Sequence, residues 1–188
     1  MGNREDLLAG ARKVIVERGV AKATARDIAS EAGVSLAAIG YHFGSKDQLI
    51  TEALIDALGT AIGDGMGGLI REGEGLSLLD AFAHLWNGMP AIYADNREAL
   101  LASLENTLRV VRDPDGLQQM SGAVDGAFEG IAEDFASAHP DLDDGQAAAL
   151  AQLSFAIVQG LAVIWLVNPA GTPSGDRIAE AVRVLTTR

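Results

Sequence analysis

The sequence predicts an all-α fold, and three observations predict it. Apolar residues recur at helical spacing along most of the 188-residue chain, Ser, Thr and Asp stand where helices would start, and all five prolines stand at or near where helices would end. Strand-like alternation is weak throughout. The chain is long enough to bury a substantial core, and its 48% hydrophobic content excludes a disordered polymer. About nine helices are expected, the third and fourth closely joined.

The first helix is capped by Asn3 or Asp6, carries Leu7, Leu8, Ala11, Val14 and Ile15 on one face, and ends at Gly19. Thr24 caps the second, roughly residues 25–32, with Asp27 three residues on as an aspartate version of the capping box. Ile28 and Ala29 point inward, and Gly33 stops the helix by accepting a left-handed conformation. Ser35 is expected to cap a third helix over residues 36–43, and Ser45 a fourth that begins with Lys46 and Asp47 and presents Leu49, Ile50, Ala53, Leu54, Ala57 and Leu58. Residues 59–75 contain seven glycines, each costing up to about 1 kcal/mol of helix propensity, so a frayed helix end and a loop are expected there. The remaining helices are placed at 76–93, 96–111, 117–138, 143–167 and 176–186, with Pro90, Pro114, Pro140, Pro169 and Pro173 at or near their ends. The expected domains are residues 1–48 and 49–188.

Composition narrows the function classes. Cysteine is absent, which excludes disulfides and thiolate metal sites and makes a cytoplasmic location the expectation. No apolar run is read as reaching the roughly 18 residues of a membrane span, because Gln159 and Gly160 interrupt the best candidate at 155–167. The N-terminus does not read as a signal peptide, and Asp6 departs from the myristoylation pattern. No HExxH, no GxSxG elbow and no phosphate-cradling loop after a strand is present, so no enzyme is expected, and neither is a cofactor or a metal. The formal charge of −12 disfavours a nucleic-acid partner, but it is unevenly spread. Residues 1–50 hold seven basic side chains against six acidic ones, whereas the rest hold seven against twenty.

Residues 24–49 carry the most specific signal. Two short helices joined by a glycine turn form a helix-turn-helix pattern, whose second helix would enter a major groove. Leu36, Ala37, Gly40, Tyr41 and the His42 ring are expected to face outward, with Ile39 and Phe43 in the core. Thr24, Arg26, Ser35, Tyr41 and Lys46 are candidates for phosphate contacts. Ala37 and Ala38 are candidates to meet a thymine methyl. Lys46 is misplaced against its own helix dipole, which favours an anionic partner outside the chain.

This stretch resembles the DNA-binding domain of the TetR, or tetracycline-repressor-like, transcriptional regulators. The matching residues are Thr24, Ile28 and Ala29, then Ala32-Gly33-Val34-Ser35, then the run from Ile39 to Leu49. The resemblance covers about 45 residues, roughly a quarter of the chain. It implies a homodimer that binds a palindromic double-stranded operator, a divergent body that takes a small-molecule effector, and usually repression. It also implies phosphate anchoring by Thr24 and Lys46, and contacts from Tyr41 and His42 at the end of the recognition helix. Gly40 departs from the larger residue more often found there.

In the body, His84, Trp86, Met89, Tyr93, Glu105, Asn106, Arg109, Met120, Phe128 and Trp165 are candidates for an effector pocket, since such a pocket wants an apolar wall with a few polar groups. Leu153, Ile157, Leu161 and Ile164, then Ile178, Val182 and Leu185, form apolar bands at helical spacing on the last two helices. The resemblance implies a four-helix dimer interface there. The alternative to a regulator is a helical interaction protein that keeps the head without a defined operator.

Overall fold

The computed structural model describes residues 3–186 and contains ten α-helices and no strand among them. In chain order they are α1 Asn3–Arg18, α2 Ala25–Glu31, α3 Ala37–Phe43, α4 Lys46–Leu58, α5 Asp64–Glu72, α6 Leu78–Asp95, α7 Arg97–Val110, α8 Pro114–Ala138, α9 Asp144–Val167 and α10 Gly175–Thr186. Three-residue 3-10 turns follow α1 and α9.

The starts and stops are mostly those the caps dictate. The Thr24 hydroxyl accepts the Asp27 backbone N–H at 3.1 Å, and the Ser45 hydroxyl accepts that of Gln48 at 3.1 Å. Asp143 and Gln146 close a reciprocal capping box at α9. Gly19 and Gly33 take φ of 78° and 67°, a region that a side chain would disfavour, and so end α1 and turn the chain between α2 and α3. Four expectations are corrected. Asp6 lies inside α1, leaving Asn3 at its start. Ser35 makes no side-chain cap; its carbonyl accepts the Ala38 N–H at 3.0 Å while Leu36 already has helical φ and ψ. Pro90 lies within α6 and not at its end. Residues 59–72 are helical, a π-helical turn at Gly59–Gly63 followed by α5, because Met66, Gly67 and Ile70 are buried along α6. A side chain at Gly67 would meet the Asp134 carboxylate, which would have to shift to admit it. Tertiary burial overrides a local propensity of this size.

The described residues form two compact units. One runs to Gly59 and takes in Glu98–Val124; the other comprises Thr60–Arg97 and the chain from Asp125. The expected domain boundary after residue 48 falls within α4, so it does not coincide with this division. In the first unit α1 packs on α2, α3 and α4. Its core joins Leu7, Ala11, Val14, Ile15, Ile28, Ile39, Phe43, Leu49, Ile50 and Ala53 with Ala102 of α7. In the second, α6 is central and packs on α5, α9 and α10. Gly175 makes the α6–α10 approach possible, since a Cβ there would strike the Ala83 carbonyl, and its N–H donates to Asn87 Oδ1 at 2.8 Å.

Candidate nucleic-acid interface

A helix of seven residues cannot hold its place by propensity alone, so α3 depends on what it buries. Ala38, Ile39 and Phe43 are buried against the head core, which leaves Leu36, Ala37, Gly40 and Tyr41 facing out and His42 half-buried. Tyr41 is 85% exposed and its ring stands edge-on to His42 at 4.8 Å between centroids. Ala38 therefore cannot meet a thymine methyl as expected; at 8% exposure it belongs to the core. No side chain stands at Gly40, and nothing lies within 4 Å of where its Cβ would be. Ser35 and Thr24 are exposed, and so is Arg26 in the first turn of α2.

The charges of the head are mostly spent within it. Arg4 pairs with Glu52 and Arg12 with Asp56; Lys13 reaches Glu31 at 2.6 Å and Arg18 reaches Asp27 at 2.9 Å. The Thr24 hydroxyl, donating to Asp27 Oδ2 at 2.5 Å, and then the Arg18 guanidinium hold the Asp27 carboxyl below the usual carboxylate range. Lys22 and Arg26 have no ion-pair partner among the described residues. Lys46 Nζ donates to the Ala23 carbonyl at 3.3 Å and lies 3.5 Å from Asp47 Oδ1, which offsets its unfavourable place at a helix start. The available cations are therefore Lys22, Arg26 and the half-held Lys46. Charge counting alone did not single out Lys22, because pairing is a tertiary property.

Two open grooves of the same unit adjoin this face. One is lined by His42, Phe43, Gln48, Glu52, Asp115, Gln118 and Gln119, the other by Gly44, Ser45, Asp47, Gln48, Asp113 and Asp115. Both are polar and acidic, so phosphate is expected to be favoured only on the Thr24, Arg26 and Lys46 side.

The ten expected effector residues are divided between the two units. Glu105, Asn106, Arg109 and Met120 belong to the first unit, and the other six to the second. Asn106 and Arg109 are already engaged with α4. Arg109 Nη2 donates to Thr51 Oγ1 at 2.6 Å, to Asn106 Oδ1 at 2.7 Å and to the Asp47 carbonyl at 3.1 Å, with Asn106 and Thr51 only 1% exposed. Their placement in an effector pocket is corrected on that ground, since their polar capacity is used. Glu105 is exposed and Met120 half-buried. Thr51 was the sequence signal missed, a hydroxyl at a core-facing position of α4.

In the second unit Trp86, Met89 and Tyr93 are fully buried. The Tyr93 hydroxyl donates to the Val158 carbonyl at 3.0 Å, and burial pushes its pKa up. Trp165 stands 6.0 Å from the Tyr93 ring and Phe128 edge-on to Phe155 at 5.2 Å. His84 is spent on Glu72 at 3.2 Å on the surface. The indole N–H of Trp86 and the hydroxyl of Ser154, both fully buried, have no hydrogen-bond partner among the described residues.

Of the expected dimer residues, Leu153, Ile164 and Leu185 are exposed, Ile157, Ile178 and Val182 half-buried, and Leu161 is buried inside its own protomer, which corrects its assignment to an open face. Val163 and Val167 add to the apolar exposure of α9. Helix α9 and the run from Lys46 to Glu72 are long and apolar enough to cross a bilayer by length and composition, so the expectation that Gln159 and Gly160 interrupt such a run is also corrected.

Comparison with known proteins agrees with the architecture. Residues 7–53 match the family model of bacterial regulatory proteins, tetR family. Over 82 residues the chain is 37% identical to the HTH-type transcriptional regulator BetI of Agrobacterium fabrum, covering 44% of this chain and 40% of that one. It is 42% identical over 55 residues to the HTH-type transcriptional regulator TtgR of Pseudomonas putida, covering 29% and 26%. The chain thus spans well under half the length of these curated relatives. Over nearly its whole length it shares its fold with the multidrug binding protein EbrR solved with imidazole, at TM-score 0.66 and 21% identity over 97% of this chain and 88% of that one. The TetR family repressor AlkX from a Dietzia species has TM-score 0.66 at 15% identity over 97% and 91%. The head, residues 7–53, thus matches the tetR family of bacterial regulatory proteins in sequence, and nearly the whole chain shares its fold with these solved structures.

Proposed function

We propose that this protein is a ligand-responsive transcriptional regulator, working as a repressor, that binds a palindromic operator as a homodimer. The observation that carries the reading is α3 itself. Its inner residues Ala38, Ile39 and Phe43 lock it to the head, while Leu36, Ala37, Gly40 and Tyr41 face away, Tyr41 staying largely in solvent beside the His42 ring. Thr24, Arg26, Ser35 and Lys46 supply phosphate contacts around it, and His42 reaches from the helix end. With Gly40 bare and alanines as the main base-facing side chains, sequence preference rests heavily on DNA shape.

Two copies are joined through α9 and α10. Their exposed Leu153, Ile164, Val167 and Leu185 form a surface that water disfavours, and a second copy of the same surface satisfies it by two-fold symmetry. A second copy suits α9 better than lipid, since its other face, Ala147, Ala151, Ser154, Val158 and Leu161, packs inside the protomer. Acting on DNA, the protein works in the cytoplasm. It needs no catalytic chemistry of its own. Within the second unit the unpaired Trp86 and Ser154 groups support an effector carrying a hydrogen-bond acceptor on an otherwise apolar frame.

Selection of bound duplexes from a random pool tests the reading. The expected product is an inverted repeat with half-sites one helical turn apart, about 34 Å centre to centre. Recovery of unenriched sequence at moderate salt would instead favour a helical interaction protein that keeps the head without an operator. For the effector, a compound that binds tightly yet leaves operator affinity unchanged is not the regulating ligand.

A further inference from the structure

We propose that Arg109 is a positioning residue for DNA docking: by holding the Asp47 carboxylate it leaves the neighbouring Lys46 free to bind phosphate. The proposal rests on the DNA-docking reading above. Asp47 stands between two cations, with Oδ1 3.5 Å from Lys46 Nζ and Oδ2 3.4 Å from Arg109 Nη1. Lys46 and Asp47 are adjacent in the first turn of α4, so whatever approaches Lys46 meets the Asp47 charge as well.

The geometry favours Arg109 as the holder. Its guanidinium is fixed from behind, with Nε and Nη2 donating to Asn106 Oδ1 at 3.2 and 2.7 Å and Nη2 also to Thr51 Oγ1 at 2.6 Å. The same group grips the Asp47 backbone carbonyl at 3.1 Å, so the helix turn and the carboxylate are held by one rigid fork. Lys46 by contrast reaches Asp47 through a flexible stem and divides its donors with the Ala23 carbonyl. Without Arg109, Asp47 has only Lys46 to pair with, and the phosphate anchor is neutralised. Asp113 and Asp115 line the groove beside Asp47, so no other cation of that groove takes over the masking.

The test measures binding of the full-length protein to a labelled 30-base-pair duplex of mixed sequence at about 50 mM salt, where phosphate contacts dominate. Wild type, Arg109→Gln, Arg109→Lys, Asp47→Asn and the double variant Arg109→Gln/Asp47→Asn are compared, with circular dichroism as the control for folding. A repulsive charge some 6–7 Å from a phosphate weakens each head by about tenfold, so Arg109→Gln is expected to bind about a hundredfold more weakly as a dimer. Asp47→Asn should bind at least as well as wild type, and should recover most of the loss in the double variant. Arg109→Lys keeps the charge and should stay within about threefold to tenfold of wild type. A merely structural Arg109 would give a double variant as weak as Arg109→Gln, because the Thr51 and Asn106 bonds are lost in both; that result overturns the proposal, as does wild-type binding by Arg109→Gln. Should Arg109→Gln fail to fold, Arg109→Lys with and without Asp47→Asn decides, and a loss beyond tenfold that Asp47→Asn leaves unrelieved overturns it. No binding by wild type itself overturns the docking reading and this proposal with it.

Discussion

If the head docks on DNA as proposed, its ion pairs set how steeply binding depends on salt. Arg4, Arg12, Lys13 and Arg18 are each committed to a carboxylate of the same unit, leaving Lys22, Arg26 and Lys46 to neutralise phosphates. Two or three contacts per head, or about four to six per dimer, give a slope of log affinity against log salt of about −4 to −5. Between about 50 and 200 mM salt the affinity is then expected to fall by two to three decades. Replacing Arg26 by Ala removes two contacts from the dimer and should make the slope shallower by about 2. Arg12→Ala is the control: Arg12 is bound to Asp56, so its removal should leave the slope within about 0.5 of wild type. Fluorescence anisotropy on the selected operator at five salt concentrations reads all three slopes. If Arg12→Ala flattened the slope and Arg26→Ala left it unchanged, the assignment of free and spent cations would be wrong.

Other expectations concern stability and assembly. Thr24→Ala removes the cap of a seven-residue helix and should lower the stability of the head by about 1 kcal/mol in urea unfolding, with no loss if the cap is dispensable. Asp27 has its carboxyl held below its ordinary value of 3.8, so its contribution is complete above that pH and is lost as pH falls through the lower folded value; Asp27→Asn should flatten the acid limb of the urea midpoint below about pH 4, and an unaltered limb would count against the pairing. Tyr93→Phe deletes a buried hydrogen bond to the Val158 carbonyl and should cost about 0.5–1.5 kcal/mol by thermal unfolding, a value near zero showing the bond to be unimportant. Ile164→Glu places a charge on an exposed apolar face of α9; sedimentation should report monomers, and an intact dimer would move the interface elsewhere.

Much of the head was legible because its signals are local. Thr24, Ser45 and Gly33 act through bonds or dihedral angles within four residues, and the inward spacing of Ile28, Ile39 and Phe43 is a helical period. Signals failed where a local preference met a distant partner. Residues 59–72 look like a loop by their glycines, yet the gain from burying Met66 and Ile70 exceeds the propensity lost. Pro90 stays inside α6 for a similar reason, with Met89 and Tyr93 on either side of it fully buried. Arg109 shows the same limit in the site. Beside Asn106 it reads as one polar residue among candidates for a pocket, and only folding brings Asp47 and Thr51, some 60 residues earlier, into its reach. By itself, then, the sequence determined the helices of the head, its outward residues and its family resemblance, since these follow from spacing, caps and turn geometry. Tertiary structure alone decided which cations are free, which polar groups are spent and which apolar residues stay open, because pairing and burial depend on residues far apart in the chain.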